Sequence, residues 1–150
     1  MMIRKLTQEE IRNALSLVWK VFLEYEAKNY PENGAQAFWN AIHDEGFLRR
    51  LSAVGAFDGD RLIGILASRS EGSHIALFFV DGAYHRQGIG RMLWNAFLSD
   101  SDQDEITVNS SLYAVGIYEK LGFFKTSDAQ TESGIRFVPM RYRRTDVHTH

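Results

Sequence analysis

The feature that most constrains this chain is a strand, a glycine-containing loop and a helix that follow one another near its middle. The run SHIALFFV, residues 73–80, is apolar on both faces near its end, which is typical of a central strand. The loop AYHRQGIGR, residues 83–91, comes next. Apolar residues then repeat on one face of a helix, at Ile89, Met92, Leu93, Ala96 and Phe97. This succession predicts an α/β fold.

The segments before this unit predict two helices and a hairpin. A strand at residues 2–6 precedes a helix that begins at Thr7, where Glu10 has capping-box spacing, and runs to about residue 27. A shorter helix is expected at residues 35–42. Two β-compatible runs, LSAVGAF and RLIGILASRS, then flank an Asp-Gly turn, which is typical of a hairpin.

The segments after it complete a mixed sheet with helices on both faces. The run EITV predicts a short strand, and Ser110 or Ser111 can cap the helix that follows. Two last strands flank the polar loop DAQTESG. The predicted order is β-α-α-β-β-β-α-β-α-β-β in one domain over residues 1–150, with a frayed tail at residues 143–150.

Composition excludes several classes of protein. A net charge of −2 gives no general attraction to nucleic acid or to an acidic membrane. The chain has no cysteine, so it has no disulfide, no thiolate metal site and no cysteine nucleophile, and we expect no metal. No segment approaches the length of a membrane span or signal peptide, so a cytoplasmic protein is expected. The oligomeric state stays open, a homodimer included.

The loop at residues 83–91 has the character of an anion site. Backbone amides at a helix start are unpaired, and Gly88 and Gly90 let a ligand approach them closely. His85, Arg86 and Arg91 add positive charge, so a phosphate fits there. The alternative is a tight turn that needs glycine for its backbone shape alone. A dinucleotide fingerprint is excluded because its third glycine position holds a leucine, and no P-loop is present.

A second stretch, VNSSLYAVGIYEKLGFF at residues 108–124, makes the chain resemble the GNAT superfamily of N-acetyltransferases. The phosphate loop of that family reads Arg/Gln-x-x-Gly-x-Gly/Ala. Gly88 and Gly90 match it, whereas His85 departs from it. The later signature is an Asn at a strand end, a helix, then Tyr-x-x-x-Gly-Phe. It is met here by Asn109, Tyr118, Gly122 and Phe123. The motifs cover roughly residues 76–124.

The resemblance implies acetyl-coenzyme A as cofactor. Its pyrophosphate would lie on the loop formed by His85, Arg86, Gln87, Gly88, Ile89, Gly90 and Arg91. Its pantetheine arm would add to the central strand at Phe79 and Val80, where a bulge splits two parallel strands. Asn109 would contact the arm or cap the next helix. The Val80 amide would point at the thioester carbonyl and stabilise the oxyanion.

The resemblance also implies direct transfer to an amine in a ternary complex, with Tyr118 as the acid that protonates the leaving thiolate. The general base stays open. Many family members carry a glutamate on the central strand where this chain has Ala76. His74 is the first candidate because its intrinsic pKa suits the task and because strand alternation predicts that His74, Ala76, Phe78 and Val80 share one face. The alternatives are Glu24, Glu26, Asp81 or a water chain.

The acceptor is expected among the first helices, which are rich in aromatic and acidic residues. Such surroundings suit a cationic amine, carried by a small molecule or a peptide. The candidate contacts are Phe22, Glu24, Tyr25 and Phe78, with Glu32 adding charge nearby. The loop at residues 127–134 is either a lid or a hairpin tip. Two other readings remain: a non-catalytic acyl-coenzyme A sensor, and an interaction domain without a cofactor.

Overall fold

The computed structural model describes residues 1–31 and 33–144, which form eight strands and six helices. The strands are β1 (Met2–Lys5), β2 (Ser52–Asp58), β3 (Arg61–Arg69), β4 (His74–Val80), β5 (Glu105–Ser110), β6 (Phe124–Lys125), β7 (Gln130–Glu132) and β8 (Ile135–Arg143). The helices are α1 (Gln8–Asn13), α2 (Leu15–Tyr25), α3 (Gly34–Ile42), α4 (Glu45–Arg49), α5 (Ile89–Asp100) and α6 (Val115–Leu121).

The strands form one mixed sheet in the order β1-β2-β3-β4-β5-β8-β6, and β7 pairs with the start of β8. Strands β4 and β5 are parallel, whereas the other paired strands are antiparallel. Helix α5 connects β4 to β5, because two parallel neighbours need a crossover connection. The mixed α/β sheet predicted from the sequence is confirmed.

Each face of the sheet carries its own hydrophobic core. The core on the α5 side is centred on Leu93, Trp94 and Tyr118. The core on the α2 side is centred on Val18 and Phe22. The sheet is therefore covered by α5 and α6 on one face and by the first four helices on the other.

Strand β4 carries one residue more than its partner. Ala67 pairs with Leu77 and Ser68 pairs with Ile75, so Ala76 has no partner in β3 and forms a β-bulge. Parallel pairing with β5 involves only the start of β4 and ends at Ile75. Beyond the bulge the two strands separate, and a slot opens between them.

The bulge also changes which side chains share a face of β4. Ile75 and Phe78 contact the core on the α5 side, whereas Leu77 and Phe79 contact the core on the α2 side. Strict alternation fails because the extra residue shifts the side chains that precede it to the opposite face. This corrects one expectation, the shared face of His74, Ala76, Phe78 and Val80.

The first predicted helix is two helices in the structure. The Thr7 capping box is confirmed, with both of its hydrogen bonds formed. At Ala14 the backbone N–H donates to the carbonyls of both Glu10 and Ile11, at 3.0 and 3.1 Å. This tightened turn separates α1 from α2, yet Ile11 and Val18 both stay buried in the same core. None of the helices in the described residues is long and apolar enough to cross a membrane.

Other boundaries also differ from the sequence prediction. Helix α6 begins at Val115 rather than at the serines, although the Ser111 hydroxyl accepts the N–H of Ala114 at 3.2 Å just before it. Of the tail expected to fray, Arg143 lies in β8 and Arg144 donates to the carbonyl of Leu98 at 3.0 Å. Residues 145–150 lie outside the described residues.

Trp94 provides a test of the core on the α5 side. It is 1% exposed and contacts the rings of Phe97, Phe123 and Tyr142. We expect Trp94→Ala to lower the free energy of unfolding by about 3–5 kcal/mol, because the removed indole leaves a cavity. Urea denaturation measures this. The control Met92→Ala removes a side chain of the same helix that is 39% exposed and should cost about 0.5 kcal/mol.

Candidate active site

The loop before α5 holds its backbone in a conformation suited to anions. Arg86 has φ +65° and Gly88 has φ +81°, both in the left-handed region. Residues in that conformation, next to helical ones, turn successive N–H groups toward one side of the chain. Gly88 is the N-cap of α5 and provides no side-chain cap, so the first N–H groups of the helix stay available.

The two loop glycines are explained by different constraints. Position 88 favours glycine because its backbone φ is positive. Gly90 has no such need, and a Cβ built there would approach only the Phe78 ring, at an ordinary 3.8 Å. Packing within the protein therefore does not require glycine at Gly90. A ligand lying against the helix start does require it, because a side chain would fill that space.

The slot between β4 and β5 presents main-chain groups of Val80. The Asp81 N–H donates to the Ile63 carbonyl at 2.8 Å, and Val80 is registered with Gly64. In an antiparallel ladder this makes Val80 and Gly64 a non-hydrogen-bonded pair, so the N–H and C=O of Val80 point away from β3. They point into the slot. By the same alternation, the main chain of Phe79 pairs with β3 and does not face the slot.

A cleft of about 680 Å³ joins this slot to the loop. The loop, the end of β4, the end of α2 and one face of α6 line it. The lining includes Tyr25, Glu26, Phe78, Phe79, Val80, Tyr84, His85, Arg86, Gly88, Ile89, Gly90, Arg91, Tyr113, Tyr118 and Lys120. Most of the predicted cofactor-binding residues thus lie together.

Glu26 is the carboxylate of this cleft. It caps the end of α2 and is only 7% exposed. Burial raises the pKa of the Glu26 carboxyl to about 7, although interaction with the Ser111 side chain acts in the opposite direction. A carboxyl with a pKa near neutrality can accept a proton and release it again at the same pH.

Tyr118 is the buried phenol of the cleft. It is 5% exposed and its ring packs edge-on against Phe78 and Phe123, with centroids 5.9 and 5.2 Å away. Burial, and secondly the charge of Glu26, raise the pKa of Tyr118. The phenol therefore stays protonated at neutral pH and is a donor rather than a base.

Aromatic and imidazole rings also line the cleft that holds Glu26 and Tyr118. The Tyr25 ring lies 4.7 Å from the His85 ring and 5.5 Å from the Tyr113 ring, between centroids. His85 Nε2 lies 2.7 Å from the Val80 carbonyl oxygen. His85 is the residue that departs from the family motif, and its side chain is already in contact with the main chain of Val80 in the slot.

His74 is not part of the cleft. It lies at the opposite end of β4, where its Nδ1 is 2.8 Å from the Thr107 hydroxyl. Burial, and secondly the charge of Arg69, lower the pKa of His74 to about 4, so it is a weak base as well as a distant one. Strand β4 is extended, and residues at its two ends are separated by its whole length.

Other predicted residues also lie elsewhere. Phe22 is fully buried in the core, and Glu24 faces the outer surface of α2. Asn109 is exposed on β5 and caps no helix, because α6 begins at Val115. Gln87 is outside the cleft lining, and Glu32 lies outside the described residues.

Asp81 is occupied by other partners. Its carboxylate accepts the N–H of Ala83 at 3.0 Å and contacts Lys20 and Arg61 at 3.4 and 3.2 Å. The Ala83 hydrogen bond is the main cause that lowers the pKa of Asp81. This carboxylate fixes the start of the loop and is not a free base.

The sequence reasoning missed several residues of the cleft, Tyr113 and Lys120 among them. Tyr113 lies in the turn before α6 and Lys120 near the end of that helix. Arg91 donates to the Lys120 carbonyl at 3.1 Å, which holds the end of α6 beside the loop. Lys120 lies three residues after Ile117, and Leu121 lies three residues after Tyr118, so helical spacing was the available signal for this face.

Comparison with known proteins identifies the family. Residues 26–144 match the acetyltransferase (GNAT) domain, and the chain belongs to that family. No curated protein matches the sequence. The chain is therefore an acetyltransferase, and acetyl-coenzyme A is the cofactor of its family.

Solved structures share the fold at low sequence identity. A GCN5-related N-acetyltransferase from Rhodopseudomonas palustris is 17% identical, with a TM-score of 0.80 over 95% of this chain and 94% of that one. PaiA N-acetyltransferase from Thermoplasma acidophilum, in complex with coenzyme A, is 18% identical, with a TM-score of 0.72 over 95% and 99%. Tetrahymena GCN5 is 15% identical, with a TM-score of 0.67 over the whole of both chains.

The cleft fits coenzyme A by its own chemistry. A diphosphate matches the free amides of the loop and the charges of Arg86 and Arg91. An amide-containing arm matches the N–H of Val80, which β5 leaves unpaired, whereas the Val80 carbonyl already contacts His85 Nε2 at 2.7 Å. The space beside Gly90 accommodates the ligand that approaches the helix start.

A substitution at Gly90 distinguishes an effect on ligand binding from an effect on stability. We expect Gly90→Ala to weaken coenzyme A binding about tenfold or more, a loss of about 1.4 kcal/mol, because the methyl group occupies the ligand's space. The same change should leave stability unchanged or raise it by up to about 1 kcal/mol, since alanine favours helix. Calorimetric titration and thermal unfolding measure the two effects.

Gly116→Ala is the matched control. Gly116 lies in α6, and a Cβ there would meet nothing within 4 Å. It should gain similar stability and keep its affinity for coenzyme A. Equal affinity of the Gly90 and Gly116 variants would show that the cofactor does not lie against the start of α5.

Proposed function

We propose that this protein moves the acetyl group of acetyl-coenzyme A directly to a primary amine while both substrates are bound, with Glu26 as general base and Tyr118 as general acid. The observation that carries the proposal is the presence of a buried carboxyl and a buried phenol in the same cleft as the anion-binding loop. The bound cofactor supplies an activated acetyl thioester.

Glu26 takes the role for which the sequence favoured His74. An amine attacks only when neutral, and most amines are cationic at pH 7, so a group must accept a proton. The pKa of Glu26 near 7 matches this task, whereas that of His74 is too low and its position is wrong. The family often has a glutamate at the position of Ala76. In this protein Glu26, at the end of α2, provides the carboxylate instead.

Tyr118 gives its proton to the departing sulfur. Its raised pKa keeps the phenol protonated at neutral pH, so Tyr118 holds a proton that it would donate to the sulfur of coenzyme A as that group departs. Coenzyme A would then leave as the neutral thiol.

Val80 is the electrostatic partner of the reaction. Its N–H points into the slot, where it would donate to the thioester carbonyl oxygen on which negative charge develops. The absence of cysteine supports direct transfer, because the chain has no thiol that could carry the acetyl group.

Tyr118→Phe tests the acid. We expect turnover to fall by about 10²- to 10⁴-fold, the usual contribution of a positioned acid, with coenzyme A affinity essentially unchanged. Thiol release and calorimetric titration measure these two quantities over a panel of amines.

Tyr142→Phe is the control for loss of a buried phenol. Tyr142 belongs to the same core but does not line the cleft. Its variant should keep full turnover. Wild-type turnover in Tyr118→Phe would remove Tyr118 from the acid role.

Glu26→Gln tests the base through the pH dependence of turnover. In the wild type, kcat/KM should rise with pH through about 7, as the carboxyl with that pKa ionises. The variant should lose about 10²-fold or more at the plateau, and its remaining activity should lack this limb. Glu24→Gln, on the exposed side of the same helix, should keep the wild-type profile.

Stability gives a second measure of the Glu26 pKa. Folding raises it from 4.5 to about 7, so the folded state holds the proton more tightly than the unfolded state. The stability of the wild type relative to Glu26→Gln should therefore fall as pH rises from about 4.5 to 7, by roughly 3 kcal/mol. A pH-independent difference between the two melting curves would contradict a raised pKa.

A further inference from the structure

We infer that the acceptor is a compact primary amine enclosed beside Glu26, and that the contact between α3 and the β7–β8 turn excludes an extended polypeptide. This inference rests on the proposed function, because it specifies which amine reaches the proposed base.

A wall of aromatic rings closes the cleft behind Glu26. Tyr30 follows Glu26 after the 3₁₀ turn Ala27–Asn29, and its N–H donates to the Ala27 carbonyl at 3.1 Å. The Tyr30 ring packs edge-on against Phe22 with centroids 4.8 Å apart, and Phe22 stacks on Phe38 at 4.1 Å. Phe38 in turn approaches Phe79 of β4, at 6.1 Å. These rings form a continuous packed row from Tyr30 to β4 on the α2 side.

Two glycines close the rim of this wall. A Cβ built at Gly34, the first residue of α3, would lie 2.7 Å from the Gly134 carbonyl oxygen and 2.7 Å from Tyr30 Cβ. A Cβ at Gly134 would meet that of Ala37 at 3.4 Å. The start of α3 and the turn before β8 therefore touch at a distance that only glycine at Gly34 permits without movement.

The lining of the cleft agrees with this closure. In the part of the chain that the structure describes, none of the residues lining the cleft comes from α3, β7 or β8. An extended peptide substrate needs a groove that continues on both sides of the reacting group. Here no described residue between Glu26 and Phe78 lines the cleft, so the lining does not continue past Glu26 along the first helices.

The volume of the cleft also limits the acceptor. About 680 Å³ lies within the range for one drug-sized ligand, and the cofactor arm occupies part of it. Among the described lining residues Glu26 is the one carboxylate, and the rings of Tyr25 and Tyr113, with centroids 5.5 Å apart, line the same cleft. A single ammonium group on a small apolar or aromatic body matches these surroundings.

Labelling of an introduced thiol tests the size limit without knowledge of the natural acceptor. The chain has no cysteine, so Glu26→Cys carries one thiol at the inner end of the cleft. Two reagents are compared, 2-aminoethyl methanethiosulfonate and the same thiosulfonate on an eight-residue peptide. Both are used with and without saturating desulfo-coenzyme A, which fills the cofactor side and carries no thiol.

We expect the compact amine reagent to label Glu26→Cys with the nucleotide bound, and the peptide reagent to react about 10²-fold more slowly, since it needs local opening of packed structure. Glu24→Cys is the matched control on the open face of α2, where both reagents should react at similar rates. Rates are normalised to this control, which removes the intrinsic difference between the reagents.

Gly34→Ala tests the rim in the Glu26→Cys background. Its methyl group displaces the turn at Gly134, so labelling by the peptide reagent should rise at least severalfold, while Gly116→Ala should leave it unchanged. Similar labelling of Glu26→Cys by both reagents would overturn the inference, because a polypeptide then reaches the base. Absence of labelling by the compact reagent would also overturn it.

Failure of the proposed function has a different signature. If desulfo-coenzyme A neither raises the melting temperature nor changes the labelling rates, the cofactor site is wrong. The ratio between the two reagents without nucleotide still decides whether the inner end of the cleft admits a polypeptide.

Discussion

The separation of β4 from β5 is the constraint on which the rest of this structure depends. Two parallel neighbouring strands normally form main-chain hydrogen bonds with each other along their whole length. Here the bulge at Ala76 limits the pairing of β4 with β5 to the start of β4. Buried main-chain groups must find partners elsewhere. His85 provides one for the Val80 carbonyl, and the Val80 N–H remains directed into the slot. A ligand with amide groups completes this part of the sheet.

The two ends of the cleft have opposite electrostatic character. At one end, free amides of α5 and the side chains of Arg86 and Arg91 favour an anion. At the other end, Glu26 and its aromatic neighbours favour an amine. Burial of an ionisable carboxyl costs stability near neutral pH, since its charged form loses hydration. The same burial gives Glu26 a pKa suited to proton transfer at that pH.

The strand, loop and helix at residues 73–100 could be predicted closely, because apolar periodicity and the positions of glycine depend on local structure. Tyr118 was predicted from the Asn and Tyr-x-x-x-Gly-Phe signature of the family. The carboxylate of the cleft could not be predicted in this way. Helical spacing puts Glu26 on the same side of α2 as the buried Phe22, but that spacing does not specify what this side faces beyond the end of the helix, where Glu26 lines the cleft. His74 was favoured by simple alternation along β4, which the bulge invalidates.

The sequence by itself determined the mixed α/β fold and predicted a loop suited to an anion, since both depend on contiguous residues whose spacing matches a helix, a strand or a turn, whereas Tyr118 was predicted from the resemblance to the family. Only the tertiary structure decided which carboxylate enters the cleft and which elements pack beside it. Glu26 and Tyr118 line the same cleft although more than ninety positions separate them, and Gly34 packs against the turn at Gly134, one hundred positions away. Such contacts depend on how the helices pack on both faces of the sheet, and no local pattern specifies that packing.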